Sequence, residues 1–317
     1  MDAVFDQREL LSRETLRELQ TRSDAQSYWR LTLHLGAIVL LGYLVSFSAA
    51  LPVVAAIFTI ALAFAWAAVF APFHECIHRT AFKSRTANAI GAWLTGIPFA
   101  MAPAVYRAFH FEHHRHTQDP DRDPELLGFP DGYSSWPTTW LGWLMMGSGY
   151  GLLVLKGTPL LRFSTAPTDA WERIAWWTPP PEDRRRMAWE NRIVLGLWVI
   201  FLVTAAIIID GGWWLIAAAW LAQIIEALWV AAEHTGLPQT GSILERTRTV
   251  RSSPFVRWWI WNMNYHAEHH AWPGIPWYRL PATHEKIENK LDHNVVSYLN
   301  LYRRICSGDE PSNRGPE

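Results

Sequence analysis

The sequence predicts an all-α integral membrane protein with four transmembrane helices in two hairpins and a cytoplasmic His-rich helical cap. Three observations predict it: four long apolar stretches, an uneven distribution of arginine, and histidines gathered into clusters beyond the ends of those stretches. A helix needs about 20 mostly apolar residues to cross the hydrocarbon core. The stretches at 31–50 and 51–73 form one pair, with a tight turn at Pro52, and those at 193–210 and 213–232 form another around Gly211 and Gly212. Neither hairpin tip carries Lys or Arg, whereas the intervening and following segments hold Arg79, Lys83, Arg85, Arg107, Arg115, Arg162, Arg173, Arg184 to Arg186, Arg246, Arg248, Arg251 and Arg257. By the positive-inside rule both termini and the long middle segment face the cytoplasm.

The remaining elements follow in order. Residues 1–30 read as a cytoplasmic N-terminal segment, charged and without the apolar core of a signal peptide. Residues 31–305 read as one membrane domain and 306–317 as a disordered tail. Two weaker apolar stretches, 89–106 and 140–155, are interrupted by Gly and Pro and read as interfacial or re-entrant. The 163–190 segment, with its TPPPEDRRR run, reads as a polar loop. Half of the 317 residues are hydrophobic, and the formal net charge of −1 comes from evenly mixed signs, which argues against a nucleic-acid partner. Two cysteines, Cys76 and Cys306, supply neither a disulfide framework nor a Cys-rich metal motif.

Eight of the 13 histidines fall into three clusters: His74 and His78 in HECIH, His110, His113 and His114 in HFEHH, and His266, His269 and His270 in HAEHH. Residues three and four apart share a helical face, so each cluster presents imidazoles together, and the last two suit ligation of two neighbouring ions. With four crossings all three clusters meet on one side. His234, emerging from the fourth crossing, is a ninth candidate, with an interfacial, water-satisfied histidine as the rival reading. Read alone, HECIH also fits the H-E-x-x-H pattern of a zinc protease with Glu75 as base. A single zinc needs few ligands, however, and eight or nine imidazoles favour two ions. A non-catalytic metal transporter is a third reading, although its ionisable ligands belong deep within the spans rather than at their ends.

The order H-x3-H, H-x2-HH, H-x2-HH around two hairpins, with DPDRDPEL after the second box and NYHAEHHAWPGIPWYRLP around the third, resembles the membrane fatty acid desaturase and hydroxylase superfamily from about residue 31 to residue 285. The resemblance implies two iron ions held by His74, His78, His110, His113, His114, His266, His269 and His270, with His234 matching an extra histidine after the last span. It also implies O2 as co-substrate and two electrons per turnover. No fused cytochrome or ferredoxin module is expected in this chain, so the electrons come from an external carrier of ferredoxin or cytochrome b5 type with its reductase. Desaturation of a fatty acyl chain is the leading expectation. Hydroxylation or ketolation of an alkyl, sphingolipid or carotenoid substrate is the alternative, as is desaturation of a small amphiphile.

Ligating imidazoles usually donate their second N–H to a carboxylate or carbonyl, which nominates Glu75, Glu112, Glu268, Asp119 and Asp123, whereas Asp121 reads as a solvated charge. Glu226, a carboxylate inside a span, marks either a hydrogen-bonding role near the site or a partner on another helix. Asn264 is a candidate holder of a bridging water. His34, His116, His284 and His293 read as packed or solvated, and Cys76 as a buried thiol pointing away from the ligands. Trp258, Trp259, Trp261, Trp272 and Trp277 flank the third box and read as interfacial anchors, with an aromatic cage for a quaternary ammonium group as the sharper alternative.

Overall fold

The structure, a computed structural model, describes residues 9–128 and 134–309. Its first long rod is the 24-residue α2 (Asp24–Phe47), preceded by the short α1 (Arg13–Leu19). Thus the first span starts seven residues before the expected Leu31, because the polar DAQSYWR turn continues the same hydrogen-bond ladder. A turn closed by Leu51 N–H donating to Ser48 O (2.8 Å) leads to Pro52 in the first turn of α3 (Pro52–Ala67). Proline is suited to that position because its missing N–H would have no helical partner there.

After a break at Ala68 and Val69 the rod resumes as α4 (Phe70–His78), and together α3 and α4 form one apolar unit of 27 residues. The first histidine cluster therefore lies within the end of the second span rather than after it. The helix continues past Phe73 because apolar Ala71, Phe73, Cys76 and Ile77 are all buried around the box.

The interrupted 89–106 stretch is a bent pair, α5 (Arg85–Phe99) and α6 (Pro103–His116), meeting at 91°. Ala100 in the left-handed region ends α5, and Pro103 starts α6. Then come α7 (Pro124–Leu127), α8 (Trp140–Gly147) and α9 (Tyr150–Thr165). The expected polar loop at 163–190 is instead partly helical, with α10 (Trp171–Ile174) and 3-10 turns at Thr168–Ala170 and Pro181–Asp183. Trp171 explains the difference: its indole is fully buried and stacks on Phe163 at 4.1 Å, and that apolar surface outweighs its polar neighbours.

The second hairpin is α11 (Arg184–Ile207) and α12 (Gly212–His234). Together with α2 and the α3–α4 rod, these make, among the described residues, four helices long and apolar enough to cross a membrane, or five if the bent α5–α6 pair is counted as one span. Their outer faces carry exposed Val39, Leu40, Phe47, Ile57, Ile60, Val199, Ile200, Val203 and Ile207, a surface suited to lipid and not to water. Where α3 and α12 pack together, small Ala63 and Ala218 share a buried cluster with Leu62 and Leu215, and small residues let backbones approach closely.

Gly211 closes the hairpin at φ +70°, and a Cβ on Gly212 would lie 1.8 Å from Ala205 O. Gly212→Ala is therefore expected to push the two helices apart and lower stability by about 1–3 kcal/mol, the usual cost of overpacking. A thermal melt in detergent reads this, and an unchanged midpoint would refute it.

Beyond α12 the chain builds a cap from α13 (Pro254–Trp259), α14 (His266–Ala271), α15 (Leu280–Ile287) and α16 (Tyr298–Ser307), with a two-stranded parallel sheet of β1 (Thr249–Val250) and β2 (Asn294–Val295). Helix α16 carries the ordered chain beyond the expected boundary at 306, and a left-handed Gly308 ends it. The rest of the expected tail, 310–317, lies outside the described residues, as do residues 1–8 of the N-terminal segment.

The start of α2 is tied to this cap. Arg30 lies over Trp258 (4.5 Å) and Trp277 (4.7 Å) and donates to Trp258 O. Trp277 Nε1 donates to Ser27 Oγ (3.1 Å), and Tyr278 OH accepts from Ser23 N and donates to Thr21 O (3.1 Å). One face each of Trp258 and Trp277 is thus taken by the chain's own guanidinium, which counts against these two rings caging a ligand cation.

Candidate metal centre

The last turn of the α3–α4 rod brings His74 and His78, α6 brings His110, His113 and His114, α12 ends on His234, and α14 brings His266, His269 and His270. These nine imidazoles form two adjoining groups. In the first, potential ligand atoms of His74, His78, His110, His114 and His269 all lie within 4.8 Å of one another; in the second the same holds for His113, His234 and His270. His266 joins the second group, its Nε2 lying 3.1 Å from both His234 Nε2 and His270 Nε2. The groups touch where the His114 and His270 rings stack at 4.1 Å. Helical spacing explains the division: on α6 the i, i+4 pair His110 and His114 enters one group while His113 turns to the other. On the short α14, His269 enters the first and His266 and His270 the second.

The hydrogen bonds on the outer edges of the rings show what the inner edges offer. His113 Nδ1 lies 3.0 Å from both oxygens of Asp123, and His234 Nδ1 lies 2.9 Å from Arg246 O. Both partners only accept, so each Nδ1 carries the proton. His270 Nδ1 lies 3.2 Å from Thr117 Oγ1, whose own hydrogen is directed to His113 O at 2.9 Å. That hydroxyl therefore accepts too. His234 and His270 then each present an Nε2 lone pair to His266 Nε2, 3.1 Å from both, where a single N–H can satisfy one of them and a cation would satisfy both. Buried His74, with neither ring nitrogen hydrogen-bonded, adds to the same imbalance. Burial holds His269 down to about 3 and keeps His266 and His270 well below the ordinary imidazole range, so these three rings stay neutral and available as donors, whereas at His113 the carboxylates of Asp123 and Glu125 outweigh burial and raise it to about 9. The donor set fits metal ions.

Of the carboxylates expected to orient ligands, Asp123 does so directly. The others are directed elsewhere. Glu75 Oε2 accepts from Thr80 Oγ1 (2.7 Å) and Trp277 N (3.2 Å), fastening the first box to the cap. Glu112 pairs with Arg115 and with His116 (3.2 Å), on the side of α6 away from the imidazoles, and Asp119 Oδ1 accepts from Asp121 N (3.0 Å). Glu268 accepts from His284 Nδ1 and Thr249 Oγ1, both at 2.5 Å, since its position between His266 and His269 turns it outward. His284 is accordingly a buried partner of Glu268 and not a solvated surface residue. Asn264 Nδ2 donates to Arg251 O (3.2 Å), and Glu226 pairs with Lys156 (2.5 Å), the partner-helix outcome of its two readings. His34 is packed as expected, bonded to Ala65 O at 2.8 Å. Cys76 also points away from the ligands, its Sγ occupying the space a Cβ on Gly91 would need.

Sequence reasoning missed Thr117, the Arg246 carbonyl, and two carboxylates beside the second group. Glu233 Oε2 lies 3.4 Å from His266 Nε2, and Glu125 Oε2 lies 3.7 Å from His113 Nδ1. Position next to His234 and within DPDRDPEL was the available signal for these two; nothing local marks Thr117 or Arg246.

Four apolar helices carrying nine converging imidazoles at one end define a histidine-rich membrane protein with a candidate dinuclear metal site. The family model described as fatty acid desaturase matches residues 48–302, and the chain belongs to that family. The family makes it a membrane oxidoreductase of desaturase or hydroxylase type. No curated protein matches the sequence.

Proposed function

We propose that the protein is an O2-dependent di-iron enzyme that introduces a double bond into a fatty acyl chain. The observation that carries the reading is the pair of imidazole groups, five rings and four, with inward-facing Nε2 atoms. Two iron ions bound there would supply the O2-dependent removal of hydrogen from an unactivated C–H bond. His74, His78, His110, His114 and His269 would hold one ion, and His113, His234, His266 and His270 the other. Asp123, Thr117 and the Arg246 carbonyl fix the outer edges of three rings, which sets tautomer and orientation. The surrounding helices keep bulk water from the buried rings and leave the choice between a second hydrogen loss and hydroxylation to how the substrate is placed.

The arginine distribution supports a multi-pass protein whose imidazole face and both termini are cytoplasmic. Electrons would come from an external carrier, ferredoxin or cytochrome b5 type, meeting an Arg-bearing surface. The zinc-protease reading loses support from Glu75, whose carboxylate is tied to Thr80 and Trp277 N.

Expression beside a matched reductase, followed by mass spectrometry of extracted lipids, tests the reading. A lipid lighter by two hydrogens is the expected result. One heavier by an oxygen atom would replace desaturation with hydroxylation, and an unchanged lipid profile would overturn the acyl substrate.

A further inference from the structure

A partly open cavity of about 30 Å³ adjoins the imidazole groups, lined by His110, His113 and His266 and also by Lys156 of α9 and Glu226 of α12. Phe99, Leu152 and Val230 supply apolar wall between them. Glu226 lies seven residues before Glu233, about 10 Å along the helix axis, so the polar pair stands well back from the imidazole end. Lys156 Nζ donates to Glu226 Oε2 (2.5 Å) and Gln223 Oε1 (3.0 Å) and sits 3.7 Å over the Phe99 ring. Both charged side chains are almost wholly buried, yet Glu226 Oε1 has no hydrogen-bond partner.

We propose that the Lys156–Glu226 pair is a binding site for a hydroxyl group of the substrate, which makes that substrate a hydroxylated amphiphile and not a plain hydrocarbon chain. The inference rests on the oxidative reading of the imidazole site and specifies what it acts on. A hydroxyl satisfies the pair because it donates to Oε1 and its oxygen can accept the remaining Lys156 N–H. Charged groups fit poorly. The pair is already neutral, so a carboxylate or an ammonium would leave an uncompensated charge in a buried place. The space beside the pair takes one hydroxyl and not a solvated ionic headgroup, and because the cavity is partly open the carbon chain of the substrate would lie beyond it. A purely structural tie between α9 and α12 would gain nothing from a bare carboxylate oxygen on a cavity shared with the imidazoles.

The test measures binding of 1-decanol, decane and decanoate to iron-loaded protein in detergent, by thermal shift and native mass spectrometry. The wild type is expected to prefer the alcohol by about tenfold or more, the scale of one hydrogen bond to a charged group. Replacing both partners together, Lys156→Met with Glu226→Leu, removes the preference without stranding one charge, and iron content reports that the site still forms. Leu152→Trp, which fills the cavity and leaves the pair intact, is the second variant and should exclude the alcohol. Equal binding of decane and decanol, a preference that survives the double replacement, or a water on Oε1 that the alcohol does not displace would each overturn the proposal. Failure of the oxidative reading shows separately, as protein that binds no iron whatever its affinity for alcohols.

Discussion

His269→Ala is expected to reduce lipid oxidation by at least about a hundredfold and to leave about one iron per chain where the wild type holds about two, since even residues that merely orient ligands change metal affinity by about 10–100-fold. The position of the ring explains the size of the effect. Its centre lies 4.4 Å from that of His74, 4.7 Å from His78 and 4.9 Å from His114, so its loss opens the first group toward the cap. His116→Ala is the matched control: it removes an imidazole from the same region, but one that faces Glu112, and both iron and activity should persist. Metal analysis by mass spectrometry beside the lipid assay decides the matter. Two irons retained in the His269→Ala protein would remove this ring from the ligand set.

The second large effect is expected at Asp123, and it isolates orientation from ligation. Asp123 accepts from His113 Nδ1, from Gln118 N (2.8 Å) and from Glu125 N (3.0 Å), so both of its oxygens face donors. Asparagine must turn an NH2 group toward one of those N–H donors, which breaks a bond and rotates or re-protonates His113. Asp123→Asn should weaken iron binding about 10–100-fold with the histidines all in place. Asp119→Asn, four residues away and bonded to a turn amide, should leave iron affinity unchanged. Titration of iron into metal-free protein compares the two, and equal affinities would show that Asp123 merely caps α7.

Reading from the sequence succeeded where the signal is local. Apolar length marked the four long helices, and i, i+3, i+4 spacing marked the histidines that come together, because both patterns repeat within a few turns of one helix. What escaped depends on pairs distant in the chain. Nothing near Lys156 in the sequence marks Glu226 as its partner, and nothing near Arg30 marks Trp258 and Trp277 as the rings that lie against it. Proximity in sequence was also misleading. Glu75 and Glu268 lie among the boxes yet face outward, because a residue one position from an inward-facing histidine is turned by about 100° around the helix.

The bond between the start of α2 and the cap has a consequence for biosynthesis. Ser23, Ser27 and Arg30 wait for partners 228–255 residues downstream, and the imidazoles themselves enter between positions 74 and 270. A ribosome-bound chain that has delivered only its first hairpin can own at most two of the nine rings. Neither imidazole group is complete until His269 and His270 have been made, so a chain that stops earlier carries two unfinished clusters.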